Sequence, residues 1–438
     1  RLQNKGNTAQ MRLRILTDSF RQTLLPICAV LLKTKDRSFI MGPIVVKFGG
    51  SSLATAGQFE KVADIIHKNP ARRYVVASAP GKRCPEDTKV TDLLYRCYDA
   101  ACAGKDFMPA LAQIQQRFEY IIAQLQLQID LSADLETIAA HLRTAPQRDY
   151  MASRGEYLNS KLLAAYLGVP FVDAAQIILF REDGMLDVES TNKAIGNTLQ
   201  NVDRAVIPGF YGAMPDGTIC TFSRGGSDVT GSIVARAVGA ALYENWTDVS
   251  GVLAADPRIV ENPRMIDYIT YRELRELSYM GASVLHEDSI FPVQKGGIPI
   301  NVKNTNDPEH PGTMILAEPE DDHGCITGVA GKKGFTIIHL EKDKMNSELG
   351  FGRRVLSVFE ELGISFEHLP TGIDTLSVVI SDKQLNGHKE EVVRRLREVC
   401  SPDRIEVVSN LALIATVGHG MVRRVGIAAM LFTALAEA

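Results

Sequence analysis

Two short segments of the sequence carry residues that could bind a phosphate group. The first, residues 47–52, reads Lys-Phe-Gly-Gly-Ser-Ser and follows a β-branched apolar run that predicts a buried strand. Consecutive glycines let backbone N–H groups approach an anion closely, and Lys47 adds positive charge. The Walker A order Gly-x-x-x-x-Gly-Lys-Ser/Thr does not occur in the sequence. On its own, the segment fits a phosphate cradle and an ordinary strand-to-helix turn equally well.

The second segment, residues 222–228, reads Phe-Ser-Arg-Gly-Gly-Ser-Asp and repeats these features. A strand end is followed by the cation Arg224, two glycines and a short polar residue of the kind that begins a helix. Two such loops can face one ligand, so the pair favours phosphate chemistry over two unrelated turns. Asp228 could cap the helix, or it could orient Lys47.

The sequence offers no arrangement for a reaction that needs a general base, because it contains no Ser-His-Asp, Cys-His or metal-ligand pattern. Phosphoryl transfer depends mainly on positioning and charge neutralisation. A carboxylate acceptor with a pKa of about 4 is already ionised at neutral pH and needs no base. We therefore expect a carboxylate acceptor. An Mg²⁺ ion that arrives with ATP would need few protein ligands.

Three further segments carry polar groups. Residues 153–156, Ser-Arg-Gly-Glu, are predicted to open a helix, where the helix dipole alone explains a glutamate in the first turn. Residues 246–251 (Trp-Thr-Asp-Val-Ser-Gly) and 255–258 (Ala-Asp-Pro-Arg) offer hydroxyl, carboxylate and guanidinium groups that suit a nucleotide. Trp246, the only tryptophan of the chain, fits core packing equally well.

The composition is that of a globular protein with small partners. A chain of 438 residues, 45% hydrophobic and 23% charged, is long enough for two or three domains. A net charge of −4 and a pI near 6.2 provide no basic field, so we expect neither nucleic acid nor membrane as a partner. Seven widely spaced cysteines indicate a reducing compartment rather than a disulfide scaffold, and we expect a cytoplasmic protein.

The apolar pattern divides the chain into four parts. Residues 1–40 form an N-terminal extension that need not belong to the fold, because their apolar stretch is short and interrupted by proline. Residues 41–316 alternate strands with helices, which predicts an α/β fold with a doubly wound, mainly parallel sheet and a helical insertion at 106–144. Residues 317–402 form a second domain, and residues 403–438 begin the same unit again without completing it.

The predicted elements after residue 317 are short. The pattern predicts strands at 325–331, 335–340, 365–369, 375–380, 405–409 and 411–417, and helices at 350–362, 389–399 and 421–436.

Taken together, these segments resemble a known family. Segment 47–52 is similar to the Lys-Phe-Gly-Gly-Thr-Ser signature of aspartate kinases. Residues 317–438 resemble the paired ACT domains, which are the regulatory domains of that family. The whole resemblance covers residues 43–438. The other matching segments follow in the family's order and approximate spacing: 153–156, 224–228, 246–249 and 256–258.

The resemblance implies an amino-acid-kinase fold followed by ferredoxin-like βαββαβ ACT domains, the second one incomplete. It implies transfer of the γ-phosphoryl group of MgATP to the β-carboxylate of L-aspartate, the first step toward lysine, threonine and methionine. It also implies a homodimer formed through the ACT domains and feedback control by an amino acid, lysine or threonine.

The resemblance assigns roles to individual residues as well. Lys47 would stabilise the transferring phosphoryl group, and Asp228 would hold that lysine in place. Glu156 would bind the ammonium group of aspartate and Arg224 its carboxylate, a charge pairing that suits a zwitterion. The substrate pocket would comprise Ser78, Thr91, Glu156 and Arg224. The nucleotide site would comprise Lys47, Gly49, Gly50, Ser51, Gly225, Gly226, Ser227, Thr247, Asp248 and Arg258. The effector site would comprise Met345, Gly350, Phe351, Phe366 and Glu367. No protein residue is assigned to a metal.

Some positions depart from the family pattern. Leu253 stands where a Tyr is usual, and Glu348 replaces a small hydroxyl residue of lysine-sensitive relatives. Two alternatives stay open. Another amino-acid kinase, such as a glutamate or acetylglutamate kinase, would use similar glycine loops, and a catalytically silent amino-acid sensor would keep the same fold.

Overall fold

The computed structural model describes residues 42–223, 225–281, 285, 287–318, 326–421 and 424–437. The predicted N-terminal extension, residues 1–40, lies outside these residues. The described chain has a first part built around one large sheet and a C-terminal part built around a smaller one.

The large sheet is mainly parallel. The strands of the first part are β1 (Ile44–Phe48), β2 (Arg72–Ala77), β3 (Ala205–Pro208), β4 (Tyr211–Ala213), β5 (Ile219–Thr221), β6 (Leu242–Thr247), β7 (Val252–Leu253), β8 (Met265–Ile266), β9 (Tyr268–Thr270), β10 (Ile300–Asn304) and β11 (Thr313–Leu316). Seven of these described strands form the sheet, in the order β3-β2-β1-β6-β10-β11-β9. The first five of that order run parallel, and β11 is antiparallel to β10. The predicted doubly wound sheet is confirmed.

Helices cover both faces of this sheet. They are α1 (Ala56–His67), α2 (Val90–Cys102), α3 (Met108–Gln124), α4 (Ser132–Thr144), α5 (Arg148–Leu167), α6 (Ala174–Ile177), α7 (Val188–Leu199), α8 (Gly226–Ala237), α9 (Tyr271–Tyr279) and α10 (Ile290–Gly296). The helical insertion predicted at 106–144 is confirmed as α3 and α4. None of the described helices is long and apolar enough to cross a membrane.

The predicted start of α5 is wrong. The helix begins at Arg148, so Glu156 lies about two turns inside it and the helix dipole does not explain that residue. Gly155 does not mark a helix end. A Cβ at this position would lie 2.8 Å from the Cβ of Ala79, so the glycine allows close packing of the helix on the chain after β2.

The core has one layer on each side of the sheet, because successive strand residues point to opposite faces. Val45 belongs to the layer under α7 and α8, whereas Val46 belongs to the layer under α1 to α5. Trp246 is completely buried in the second layer and stacks on Phe48 with ring centroids 6.0 Å apart. The tryptophan is therefore a core residue.

The C-terminal part is a second α/β unit. Its elements are β12 (Gly328–Glu341), α11 (Phe351–Glu361), β13 (Thr375–Ser381), α12 (Asp382–Leu385), α13 (Lys389–Cys400), β14 (Arg404–Val417) and α14 (Ile427–Glu437). The sheet has the order β13-β12-β14, with antiparallel neighbours. The predicted strand at 365–369 is reduced to an isolated bridge between His368 and Val379.

Two predicted strand pairs are single strands in the structure. The breaks expected between 331 and 335 and between 409 and 411 are irregularities within β12 and β14, where Gly334 and Asn410 have φ values of +92° and +63°. These positions bend the strands without ending the ladder. β14 pairs with β12 along its whole length, so the first residues of the predicted fourth part lie in the sheet of the third. The domain limits stay predictions.

Hydrogen bonds join the two parts of the molecule. The Val329 amide donates to the Ala254 carbonyl at 2.7 Å, and the Thr327 hydroxyl donates to Glu273 in α9 at 2.5 Å. The Tyr279 hydroxyl, at the end of α9, donates to the carboxylate of Glu367. Side chains of helix α9, together with Arg264 before β8, therefore contact the C-terminal part.

Two glycine-to-alanine substitutions should have opposite effects on stability. Gly196 lies inside α7 with open space around it, so alanine there should raise the free energy of unfolding by about 0.5–1 kcal/mol through better helix propensity. Gly231 lies inside α8, where a Cβ would be 2.5 Å from the Tyr243 hydroxyl, so alanine should cost about 1–3 kcal/mol. Urea unfolding of both variants tests this, and equal stabilisation would contradict the packing described.

Candidate active site

Lys47 and Asp228 form a nearly buried ion pair at the carboxyl end of the sheet. Lys47 lies on β1, and its Nζ is 2.6 Å from Oδ1 of Asp228 in the first turn of α8. The Asn245 amide on neighbouring β6 donates to the same oxygen at 2.9 Å. Asp228 therefore orients the lysine rather than capping the helix, and its charge suits the positive end of the helix dipole. The sequence did not indicate Asn245.

The first glycine loop lies directly beside this lysine. The Gly49 amide donates to the Trp246 carbonyl at 2.9 Å, and a Cβ on Gly49 would lie 3.6 Å from the Lys47 Nζ. A Cβ on Gly50 would lie 2.8 Å from the Ala79 carbonyl oxygen. Gly50 therefore needs to be glycine, whereas a side chain at Gly49 would meet only ordinary contacts, and a short 3₁₀ turn begins at Ser51.

The second glycine loop leads into α8. Gly225 is the N-cap of the helix with φ of +57°, and a Cβ on Gly226 would lie 2.5 Å from the Phe210 ring. Ser227 is buried against Gly209, which follows β3. The loop therefore presents the helix N-terminus at the same sheet edge as Lys47, which is a favourable place for an anion. Arg224 lies outside the described residues.

The chain after β2, residues 78–81, joins the first glycine loop to helix α5. The Ser78 amide donates to the Phe48 carbonyl at 3.2 Å, and the Asn159 amide group donates to the Ser78 carbonyl at 2.7 Å. Ala79 contacts both Gly50 and Gly155. The predicted substrate residue Ser78 therefore lies between the first glycine loop, residues 47–52 (called the phosphate loop below), and Glu156.

Helix α5 presents three buried polar groups without partners. Within the described part of the chain, Oε2 of Glu156, Oδ1 of Asn159 and Oγ of Ser160 have no hydrogen-bond partner. Burial raises the pKa of Glu156 to about 8, although the Ala79 amide donates to its carboxylate. Unpartnered acceptors that are costly to bury indicate a place for a cationic ligand group. Asn159 and Ser160 were missed, although their spacing from Glu156 puts all three on one helix face.

The remaining predicted site residues are placed differently. Thr247 and Asp248 lie where β6 ends, and the Thr247 hydroxyl donates to Asp248 at 3.2 Å. Thr91 is half-buried in the first turn of α2, next to Val90, which packs near Gly155. Arg258 has an exposed guanidinium 2.6 Å from the carboxylate of Asp256, and none of its described contacts reaches the glycine loops.

The predicted effector residues lie in the C-terminal part. Met345 and Phe351 are buried in its core, and Gly350 is the N-cap of α11 with φ of +76°. Phe366 is exposed, and Glu367 bonds to the first part as described above. Met345, Gly350 and Phe351 therefore lie around the start of α11, whereas Phe366 and Glu367 follow its end, where the Glu367 amide donates to the Val379 carbonyl at 2.8 Å.

Comparison with known proteins decides the family. Residues 42–304 match the sequence model of the amino acid kinase family. The chain is 40% identical to Aspartokinase 3 of Bacillus subtilis (strain 168), over 90% of each chain. The chain belongs to the aspartokinases of the amino acid kinase family.

Solved structures of aspartokinases have the same architecture. The crystal structure of Clostridium acetobutylicum aspartate kinase matches with a TM-score of 0.83 and 50% identity, over 91% of each chain. Escherichia coli aspartokinase III, solved in complex with lysine and aspartate, matches with a TM-score of 0.66 and 25% identity, over 86% of this chain and 87% of that chain. The aspartokinase fold predicted for this chain is therefore confirmed, whereas the roles of single site residues stay predictions.

The raised pKa of Glu156 predicts a pH-dependent affinity for aspartate. Only the ionised carboxylate attracts an ammonium group, so KM for aspartate should fall as pH rises toward about 8, by up to about tenfold per pH unit. Binding should also release a proton, measurable by calorimetry in buffers of different ionisation enthalpy. Glu156→Gln should raise KM and remove its pH dependence. Glu244→Gln, at a buried carboxylate paired with Arg72, should keep that dependence.

The substitution Glu156→Gln should also change how the stability of the protein depends on pH. Because the pKa of Glu156 lies above its ordinary value of 4.5, this group favours the fold most below pH 4.5, and that contribution is lost progressively between pH 4.5 and about 8. Glu156→Gln should therefore raise the thermal midpoint above pH 8 relative to the parent protein. A KM that is independent of pH in the parent protein would contradict the assignment of Glu156.

Proposed function

We infer that this aspartokinase transfers the γ-phosphoryl group of ATP to the β-carboxylate of L-aspartate, giving 4-phospho-L-aspartate and ADP. This reaction is the first step of lysine, threonine and methionine biosynthesis. The observation that carries the assignment is the nearly buried Lys47–Asp228 pair between two glycine loops, one of which contacts Ala79, whose amide donates to Glu156.

Each described group has a task in this reaction. Lys47 stabilises the charge that develops on the transferring phosphoryl group, and Asp228 holds the lysine at one position. Backbone N–H groups of both glycine loops bind phosphate oxygens. Glu156 binds the α-ammonium group, and Arg224 is proposed for a carboxylate. The β-carboxylate is ionised at neutral pH, so proton removal is not required.

We propose that the nucleotide arrives at the site with Mg²⁺ already bound. In the described part of the chain, no group of three or more His, Cys, Asp or Glu side chains could hold a metal ion. We propose that phosphate oxygens and water supply most ligands of the ion, as is common for nucleotide-bound Mg²⁺. When bound, the ion neutralises phosphate charge. Thr247 and Asp248 are proposed for the nucleotide, and the exposed Arg258 would have to leave Asp256 to take part.

We propose that an amino acid regulates the enzyme through ACT domains in the C-terminal part. The Escherichia coli relative solved with lysine supports such an effector. Met345, Gly350 and Phe351 would line the pocket. Glu348 is already paired with Lys342 at 2.7 Å and also with Arg354, so it is not available as a counter-ion for a lysine effector. Lysine and threonine are both retained as candidates.

The hydrogen bond between Tyr279 and Glu367 links the proposed effector residues to the first part of the molecule, which contains the candidate active site. Glu367 is a proposed effector residue, and Tyr279 ends α9, which packs against β14 and the core of the first part. An effector that binds Glu367 would compete with the tyrosine hydroxyl. The difference between the affinities of the effector for the protein with and without the Tyr279–Glu367 bond would set how strongly the effector changes activity.

One assay tests substrate and effector together. ADP release should be fast with L-aspartate and at least about a hundredfold slower with L-glutamate, because a longer acceptor misplaces its carboxylate. Repeating the assay with lysine and with threonine identifies the effector as the amino acid that lowers the rate. Comparable turnover of glutamate would favour another amino-acid kinase, and no turnover of any amino acid would favour a silent sensor.

We also propose a cytoplasmic homodimer that forms through the C-terminal part. Large apolar side chains are exposed there on β14 and α14, including Ile414, Met430 and Phe432. A patch of this kind is typical of a protein interface. The cysteine usage supports a reducing compartment.

Light scattering tests the homodimer. It should give about twice the chain mass of 48.0 kDa. Phe432→Asp should shift the protein toward monomer, whereas Ile259→Asp, at an exposed apolar residue of the first part, should not. A monomeric parent protein would overturn the proposal.

A further inference from the structure

Arg117 is a buried cation whose described polar contacts all go to one loop. It lies on α3 in the helical insertion and is only 4% exposed. Its Nη2 donates to the Gly81 carbonyl, and its Nη1 donates to the Thr88 carbonyl at 2.9 Å. Nη1 also lies 3.1 Å from the carboxylate of Asp87. One guanidinium therefore holds both ends of the loop 81–88.

The loop itself is exposed between these ends. Residues 82–86 face solvent, and a cavity of about 410 Å³ lies between the loop and α3. Packing therefore contributes little to the position of the loop. Within the loop, Arg83 donates to Asp87 through its backbone amide at 3.0 Å and its Nε at 2.8 Å. Arg83 and, to a smaller extent, Arg117 hold the pKa of Asp87 well below its usual range.

The loop end held by Arg117 touches the phosphate loop. The Gly81 amide donates to the Gly50 carbonyl at 2.7 Å, and a Cβ on Gly81 would lie 2.6 Å from the Gly50 carbonyl carbon. Two residues earlier, Ala79 donates its amide to Glu156. A shift of Gly81 would therefore move both the phosphate loop and the groups proposed for the substrate ammonium.

Stability alone is a poor reason for this arginine. Burial lowers the pKa of Arg117, which means that desolvation of the charge costs free energy. Buried ion pairs often contribute no net stability compared with apolar residues of similar volume. In addition, the buried Nε has no hydrogen-bond partner among the described residues. The planar guanidinium does offer two donors in fixed geometry, which a lysine cannot reproduce.

We propose that Arg117 is a positioning residue of the kinase reaction, which ties both ends of the loop 81–88 and so holds Gly81 against the phosphate loop at Gly50. The inference rests on the activity proposed above. Arg117 acts through Gly81 and Ala79 and does not itself contact the reacting groups. The helical insertion thereby becomes a support of the active site.

The test compares substitutions at buried Arg117 and at Arg72, which is mostly buried. Arg117→Lys and Arg117→Met should each lower kcat by about tenfold to a hundredfold, since a displacement of about 1 Å at the reacting groups has an effect of this size. Arg72→Lys is the matched control, because Arg72 is also paired with a buried carboxylate, Glu244, and a backbone carbonyl, but lies at the opposite end of the sheet. Its kcat should stay within about twofold of the parent value.

Two further readouts separate positioning from folding. Millimolar guanidinium ion should restore part of the activity of Arg117→Ala and should leave the activity of Arg72→Ala unchanged. Trypsin should cleave after Lys82 or Arg83 faster in the Arg117 variants than in the parent protein, because the loop is released at both ends. Thermal midpoints identify a variant that does not fold, and kinetic constants are compared per folded molecule.

The outcomes are distinguishable. Unchanged kcat in Arg117→Lys and Arg117→Met, or a loss no larger than that of Arg72→Lys, would overturn the positioning role. An unchanged cleavage rate at Lys82 and Arg83 would overturn the loop attachment. If the parent protein had no kinase activity, the proposed function would fail, while the trypsin comparison would still decide whether Arg117 holds the loop.

Discussion

The ion pair between Lys47 and Asp228 is the interaction on which the rest of the site depends. It joins β1 to the first turn of α8 in a nearly buried environment, with Asn245 as a third member. Removal of one partner from a buried pair leaves an uncompensated charge, which costs several kcal/mol, on the order of 3–5. The lysine can therefore occupy one position only while the helix and the strand keep their register.

Close contacts at three glycines bring the other segments of the site next to Lys47. Gly50, Gly81 and Gly155 each lie where a Cβ would be 2.8 Å or less from a neighbouring atom. These contacts bring the phosphate loop, the chain after β2 and helix α5 together without intervening side chains. Oε2 of Glu156, Oδ1 of Asn159 and Oγ of Ser160 can then remain buried without a partner among the described residues, a cost that is expected where a ligand completes the site.

Local signals in the sequence were sufficient for part of this arrangement. Strand ends, glycine pairs and helix starts depend on neighbouring residues, so the sheet and both glycine loops could be predicted, whereas these signals left open whether Asp228 caps its helix or orients Lys47. The contact of Arg117 with Gly81 joins residues 36 positions apart, and that of Asn159 with Ser78 joins residues 81 apart. No local pattern marks such contacts. The continuous strands β12 and β14 were missed for a related reason, because long-range pairing continues across irregular positions that locally resemble turns.

The central claim is that Lys47, held by Asp228, promotes phosphoryl transfer to the β-carboxylate of aspartate. The most direct measurement traps the acyl phosphate with hydroxylamine and quantifies β-aspartyl hydroxamate for the parent protein, Lys47→Met and Lys161→Met. Lys161 is the control because it also forms a close ion pair, 2.7 Å from Asp134, outside the site. We expect hydroxamate from the parent protein and Lys161→Met, and a loss of about a hundredfold to a thousandfold in Lys47→Met. Equal hydroxamate formation by Lys47→Met, or ADP release without hydroxamate, would contradict it.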